Sequence, residues 1–253
     1  IAHIDAGLRN FDKNSHEEVN RILTDTLSDY HFVSEHSGMK NLRDEREDTK
    51  NIFFVGNTLV DSLELYWSDM EESEVFENLG IGEEEYLLVT FSENENIDNP
   101  KRLSEITAML QRLAERCLIL WPSDEIVQKR ILETGLIKSG DGRLLLIPMQ
   151  EYTDFLALMY HAEGVITDTS EIQEETTYLG AQCITIKKFT ERIVTLDVGT
   201  NNLTGNDLEK AEKAINDLLD GVTKPGRIPE HWDGKASRRI VDIIVEQIGE
   251  ETD

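Results

Sequence analysis

The chain is predicted to be an α/β protein built on parallel sheets, and two features of the sequence carry that prediction. Its strand candidates are near-continuous apolar runs rather than alternating ones, as expected for parallel strands covered on both faces. They are Phe53-Phe54-Val55, Tyr86-Leu87-Leu88-Val89-Thr90, Cys117-Leu118-Ile119-Leu120, Leu144-Leu145-Leu146-Ile147, Val165-Ile166 and Cys183-Ile184-Thr185-Ile186. Amphipathic helical segments lie between them. In 103–116, Ile106, Met109, Leu110 and Leu113 recur at three- and four-residue spacing, and 151–161 does the same through Phe155, Leu158 and Met159. Strand–helix alternation of this kind means βαβ units and a doubly wound sheet.

The segment 81–183 holds at least four such units, most of one Rossmann-like domain. Residues 1–58 read as the remainder of an earlier Rossmann-like domain, only partly present. They carry a polar helix over 15–29, an apolar His31-Phe32-Val33, a second helix over 37–46 and the strand at Phe53. The second domain is expected over 59–235, closed by the turn at Lys224-Pro225-Gly226 and by Pro229. A last helix, 236–253, carries the stripe Ile240, Val241, Ile243, Ile244 and Ile248 and is expected to pack back across the domain boundary.

Length and composition bound the function. At 253 residues and 39% hydrophobic content, the chain fits one large or two medium globular domains. No apolar run nears the roughly 20 residues of a membrane helix, so the reading is a cytoplasmic protein without a membrane partner. The chain opens with Ile1-Ala2-His3 and has no initiator Met, which suits a fragment or a processed form. The net charge of −26 argues against nucleic acid, whose phosphates call for basic patches. Such a charge suits a solvated surface that resists aggregation. A basic protein partner is the sharper alternative. Cys117 and Cys183 sit in apolar surroundings and read as buried thiols in a reducing compartment. No Cys/His spacing suggests a metal site, and no cofactor is expected.

The stretch Thr167-Asp168-Thr169-Ser170-Glu171-Ile172-Gln173-Glu174-Glu175 follows the apolar Gly164-Val165-Ile166. A buried strand there hands over to a helix, and open α/β sheets bind nucleotides outside the carboxyl ends of their strands. The helix N–H groups would face a phosphate. Elsewhere, Glu17 and Arg21 are four apart on a helix, which serves equally for a surface ion pair or for a carboxylate and guanidinium aimed at a sugar. Arg192 follows the last apolar strand and could hold a phosphate or sit on the surface.

In this order the pieces resemble the non-hydrolysing UDP-N-acetylglucosamine 2-epimerases. The matching residues are His3-Ile4-Asp5-Ala6-Gly7-Leu8-Arg9, Glu17-Glu18-Val19-Asn20-Arg21, Gly56-Asn57-Thr58, Thr167-Asp168, Ile172-Gln173-Glu174-Glu175, Thr190-Glu191-Arg192, Gly199-Thr200 and Asp233-Gly234-Lys235-Ala236-Ser237. The resemblance covers nearly the whole chain and begins about a quarter of the way into the family's usual length. It implies a GT-B-like fold of two Rossmann-like domains with the active site in the cleft between them, and commonly a homodimer. It also implies inversion at C2 of a UDP-amino sugar, by elimination of UDP to a 2-acetamidoglucal and re-addition. Asp5 and Glu17 would take acid/base positions, with Arg21 beside them. Thr169, Ser170 and Glu171 would line the diphosphate, Glu175 would bind the ribose hydroxyls, and Arg192 would lie near the nucleotide.

The chain departs from the family pattern at its chemistry. Asp5 stands where the family has Glu, an arm shorter by about 1.5 Å, and a misplacement of about 1 Å can cost a hundredfold in rate. The family's His-Arg pair is replaced in Phe91-Ser92-Glu93-Asn94, and a His expected after Pro122 is replaced in Ser123-Asp124. Thr169-Ser170-Glu171 stands for Ser-Gly-Gly, and Ile193-Val194 for Pro-Glu. An unscreened Glu171 about 4 Å from a phosphate would cost about 4 kcal/mol. These departures support a second reading, a catalytically impaired or non-catalytic paralogue with a regulatory or interaction role. A third is a shift to another nucleotide sugar or to hydrolysis.

Overall fold

A computed structural model describes residues 1–46, 48–92, 94–137 and 142–251. Glu93 and the side chains of Asn94 and Ile248, named above, lie outside the described residues. In chain order the structure runs β1 (Ala2–Ile4), α1 (His16–Leu27), β2 (Tyr30–Val33), α2 (His36–Glu45), β3 (Ile52–Phe54) and α3 (Thr58–Leu65). It continues with α4 (Trp67–Glu71), α5 (Val75–Leu79), β4 (Tyr86–Thr90), α6 (Asn94–Ile97), α7 (Pro100–Ala114), β5 (Leu118–Pro122), α8 (Glu125–Glu133), β6 (Leu144–Ile147) and α9 (Tyr152–His161). The last elements are β7 (Gly164–Thr167), α10 (Ser170–Leu179), β8 (Cys183–Thr185), α11 (Ile193–Asp197), β9 (Asn201–Leu203), α12 (Leu208–Leu219) and α13 (Ala236–Glu251).

The chain divides into two compact units. The first comprises 1–66, 190–199 and 228–253; the second comprises 67–189 and 200–227. Among the described residues, the first holds a parallel sheet in the order β1-β2-β3. The second holds a parallel sheet in the order β6-β5-β4-β7-β8-β9, the strand order of a doubly wound domain. Helix α13 belongs to the first unit, where Ile240 packs with Phe32 and Val55.

The six apolar runs named above form β3 to β8, and helix ends are set by caps. Helix α7 starts earlier than its apolar stripe, because the Asn99 side chain accepts from the N–H groups of Lys101 and Arg102 and Pro100 suits the first turn. Its inward residues Ile106, Met109, Leu110 and Leu113 join Leu87, Val89, Ile119 and Ile166 in the core of the second unit. Burying each of these side chains contributes about 1.5–3 kcal/mol. Strand β9 shows no apolar run. It forms because Asn201 is buried and paired, its Oδ1 accepting from Thr185 Oγ1 at 2.7 Å and its Nδ2 donating to Gln173 Oε1 at 3.0 Å.

In the first unit the turn after β1 is held by Asp25 of α1. Its carboxylate takes Gly7 N–H at 3.1 Å, Arg9 Nη1 at 2.7 Å and His3 Nδ1 at 2.6 Å. Burial pushes the Asp25 carboxyl up, but these partners outweigh it and hold it below the usual carboxylate range. The charged residues His3 and Arg9 are thus spent on positioning the turn. Gly7 adopts φ +80°, and a Cβ there would stand 2.3 Å from the carbonyl oxygen of Gly38. That close approach seats the turn carrying Asp5 against the start of α2.

The Gly7→Ala substitution therefore meets both a left-handed backbone and a backbone clash, and is expected to destabilise by at least about 2 kcal/mol. Gly80 has φ +67° but nothing within 4 Å of a Cβ, so Gly80→Ala is expected to cost only about 1 kcal/mol. Urea midpoints of the two variants, measured side by side, check this ranking.

Candidate functional site

The first unit gathers its charged residues where parallel strands end. Ile4 of β1 is in register with Phe32 of β2, so Asp5 leaves β1 beside the point where Ser34 and Glu35 leave β2. The segment 190–199 supplies Arg192, whose Nη2 lies 3.3 Å from Asp5 Oδ2. It also supplies Val194, whose N–H donates to Glu35 Oε1 at 3.3 Å. Ser37 Oγ donates to the same Glu35 oxygen. Arg21 lies between two carboxylates, 3.4 Å from Glu18 Oε2 and 3.6 Å from Glu191 Oε1.

Asp5 has φ +64°, a left-handed conformation unusual for a residue with a side chain. Burial pushes its carboxyl up, but the Arg192 guanidinium reverses this and holds it below the usual range. Ser34's hydroxyl stands close by and adds to this without forming a hydrogen bond of good geometry. Glu35 is buried at 2% exposure. Its burial pushes the carboxyl up to about 6, against the pull of Ser37, Arg192 and the Val194 N–H, while the charge of Asp5 adds to the rise. The buried atoms Asp5 Oδ1, Arg21 Nε, Ser34 Oγ and Glu35 Oε2 have no hydrogen-bond partner among the described residues. Buried polar atoms are ordinarily paired, so these four single out this end of the sheet as the candidate site of the first unit.

Of the two adjacent glutamates on α1, Glu18 turns inward and accepts from the N–H groups of Asn10 and Phe11 at 2.9 and 3.0 Å. Glu17 is exposed, and its Oε2 accepts from Ser15 Oγ at 3.3 Å. Arg192, which the resemblance puts near the nucleotide, belongs to the first unit and rests on Asp5. Sequence reasoning did not single out Glu35. The available signal was its place, a carboxylate directly after a strand of a parallel sheet.

On the second unit, Thr167 ends β7 and α10 begins at Ser170. The Thr169 side chain does not cap the helix. Instead, Thr169 N–H donates to Thr167 Oγ1 at 3.1 Å, and Gln173 Nε2 donates to the Thr169 carbonyl at 3.0 Å. Asp168, fully buried, accepts from Ser92 N–H and Asn96 Nδ2, each at 2.9 Å. The first turn of α10 is thus braced from behind. Glu171 is exposed, so its repulsion of a phosphate is screened well below the unscreened figure. Asp124, at the place of an expected His, is spent as the cap of α8, accepting from Val127 N–H at 2.8 Å.

Glu175 faces the same way one turn on from Glu171. Tyr152 Oη donates to its Oε1 at 2.9 Å. Burial pushes its carboxyl up to about 7; Tyr152 pulls it down and the Glu171 charge pushes it further up. A cavity of 800 Å³ lies at the other end of β4, between Phe76, Tyr86 and His161. Ligands of parallel sheets lie outside the carboxyl ends of the strands, so we place the site at Thr167–Glu175. No group of three or more His, Cys, Asp or Glu among the described residues could hold a metal ion.

The family profile described as UDP-N-acetylglucosamine 2-epimerase matches residues 1–245. The UDP-N-acetylglucosamine 2-epimerase of Methanocaldococcus jannaschii is 35% identical over 251 residues, covering 96% of this chain and 68% of that protein. The protein of the same name from Methanococcus maripaludis is 34% identical over 256 residues, again 96% of this chain and 68% of that protein. Among solved structures, the M. jannaschii UDP-GlcNAc 2-epimerase in complex with UDP-GlcNAc and UDP superposes with a TM-score of 0.85. That match is 35% identical and covers 97% of this chain and 68% of that chain. The GT-B-like α/β class expected from the sequence is borne out by these matches.

The titration of Glu175 makes a stability prediction. Its carboxyl is expected near 4.5 in the unfolded chain and titrates at about 7 in the folded one. Between those values the unfolded chain has released the proton and the folded chain still holds it, so stability falls as pH rises and levels off above 7. The Glu175→Gln variant escapes that loss. Its advantage over wild type is expected to grow from nothing below about pH 4 to about 3 kcal/mol at about pH 8. Urea unfolding across that range checks it, and a difference independent of pH contradicts it.

Proposed function

The chain belongs to the UDP-N-acetylglucosamine 2-epimerase family, and we propose that it inverts C2 of UDP-N-acetylglucosamine. In the first half-reaction a carboxylate takes the C2 proton, the electron pair forms the C1–C2 double bond, and the C1–O bond to UDP breaks. In the second, the diphosphate oxygen adds back to C1 and a proton returns to C2 from the opposite face. Asp5 is the group proposed to exchange the C2 proton. The observation that supports it is its ionised carboxylate, held by Arg192 at 3.3 Å, with a buried Oδ1 that has no hydrogen-bond partner among the described residues. Glu17, exposed on α1, is the second carboxylate proposed from the resemblance.

On the second unit, the first turn of α10 at Thr169, Ser170 and Glu171, which no Thr169 side chain caps, is the proposed diphosphate seat. Glu175 is the proposed acceptor for the ribose hydroxyls, which donate best to its ionised form. We carry forward a cytoplasmic homodimer as part of the proposal. The exposed Val19, Leu23 and Leu27 of α1 offer apolar surface for such contact, and Cys117 and Cys183 are buried free thiols. No helix among the described residues is long and apolar enough to cross a membrane.

Proton NMR of UDP-N-acetylglucosamine incubated with the chain tests the proposal. The expected product is the C2 epimer, still linked to UDP. Free UDP without an epimer indicates hydrolysis, and unchanged substrate contradicts the proposal. Calorimetric titration with UDP tests the diphosphate seat. The Glu171→Gly variant is expected to bind UDP roughly fivefold tighter, the equivalent of about 1 kcal/mol for a solvent-screened charge. No tightening contradicts the placement of the diphosphate at that turn.

A further inference from the structure

Asp5 presents a chemical conflict. A carboxylate held by a guanidinium stays ionised, but the same partner makes it a weaker base. Something must loosen that hold for Asp5 to take a proton from carbon. We propose that Glu35 is a positioning residue that sets the base strength of Asp5 by competing with it for Arg192. The role rests on the epimerase reading for its consequence in the reaction.

The geometry that carries this is a clasp. Arg192 and Val194 lie two residues apart on one turn. One contacts Asp5 and the other contacts Glu35. Ser34, the neighbour of Glu35, stands beside Asp5. Its carbonyl accepts from Trp232 Nε1 at 3.0 Å, and Trp232 is buried at 1% exposure, so the backbone carrying Glu35 is anchored from the far side. Glu35 Oε1 is occupied by Val194 N–H and Ser37 Oγ, while its buried Oε2 has no hydrogen-bond partner. Among the described residues the charged groups acting on Glu35 are Asp5, from the turn after β1, and Arg192, from the turn before α11. The partners from α2 and α11 are the Ser37 hydroxyl and the Val194 N–H, both neutral.

The sign follows from Coulomb's law. When Glu35 is protonated, it makes no charge claim on Arg192 and Asp5 is a weak base. When Glu35 loses its proton, it draws on Arg192 and sets a like charge beside Asp5. Both changes raise the proton affinity of Asp5. The two carboxyls therefore titrate as a linked pair. Burial places the Glu35 step at about 6, so the stronger base forms as the pH rises toward neutral. Glu35 shows only 2% exposure and acts through Arg192 rather than on the sugar.

Carboxyl ¹³C NMR of the full chain, with Asp5 assigned by comparison with Asp5→Asn, is the direct test. The Asp5 resonance is expected to show a second step at about pH 6 in the wild type, and to lose it in Glu35→Gln. A wild-type Asp5 resonance without that step overturns the proposal and needs no variant. Epimerisation kinetics give the consequence. Above about pH 7 the Glu35→Gln variant is expected to lose roughly threefold to tenfold in kcat with KM little changed, while Glu35→Asp restores part of the loss. A loss in Glu35→Gln that is equal at every pH points to a purely structural role and overturns the proposal. A chain that shows the Asp5 step but does not epimerise refutes the epimerase reading and keeps the coupling. An epimerising chain with a single-step Asp5 titration refutes the coupling and keeps the reading.

Discussion

Negative charge wholly or partly withdrawn from water is the constraint on which the first unit depends. Asp5, Glu18, Asp25, Glu35 and Glu191 converge on it, and each must be compensated or it will take up a proton. They are not compensated equally. Asp25 has a guanidinium, an imidazole and a backbone N–H. Glu18 has two backbone N–H groups and Arg21. Asp5 has Arg192 and keeps one buried oxygen without a partner; Glu35 has a neutral N–H and a hydroxyl and also keeps one. The well-served carboxylates hold the fold; of the poorly served pair, Asp5 is the one proposed to meet the substrate and Glu35 the one proposed to act on Asp5. That division separates a structural ion pair from a reactive one without appeal to sequence motifs.

The second unit handles charge in the opposite way. A ladder of neutral groups, Thr185 to Asn201 to Gln173 to the Thr169 carbonyl, fixes the start of α10 from the core side. In the proposed reading, the N–H groups and dipole of the helix meet the diphosphate. Negative charge there sits at the rim. Glu171 is exposed and screened, while Glu175 is buried enough to hold its proton up to about 7. The cost that an unscreened Glu171 would impose is therefore not the cost this helix start presents.

The parallel sheets were legible because their strands are continuous apolar runs, and the resemblance to the epimerase family was legible from ordered short motifs. Both were borne out by the fold and by the comparisons. Strand β9 was not legible, since Asn201-Asn202-Leu203 is held by buried side-chain pairing rather than by apolar content. Asp5 and Arg192 could be named but not brought together, because 187 residues separate them and only the return of 190–199 to the first unit makes the pair. Glu35 escaped because its place after β2 was the only signal and its neighbours Ser34 and His36 add none. Its burial, which only the folded chain shows, is what separates it from any other carboxylate at a strand end. Which of Glu17 and Glu18 turns inward was likewise a matter of helix phase, invisible in two adjacent identical residues.

The central claim is that Asp5 exchanges the proton at C2 of a UDP-linked sugar. Incubating UDP-N-acetylglucosamine with the chain in deuterium oxide, and reading the C2 position by mass spectrometry and NMR, addresses it without depending on how far the equilibrium lies toward either epimer. The account predicts that one solvent deuteron enters at C2 in both epimers, and that Asp5→Asn slows its entry by at least about a hundredfold. Epimerisation that leaves the original C2 proton in place, or deuterium entry unchanged in Asp5→Asn, would contradict it.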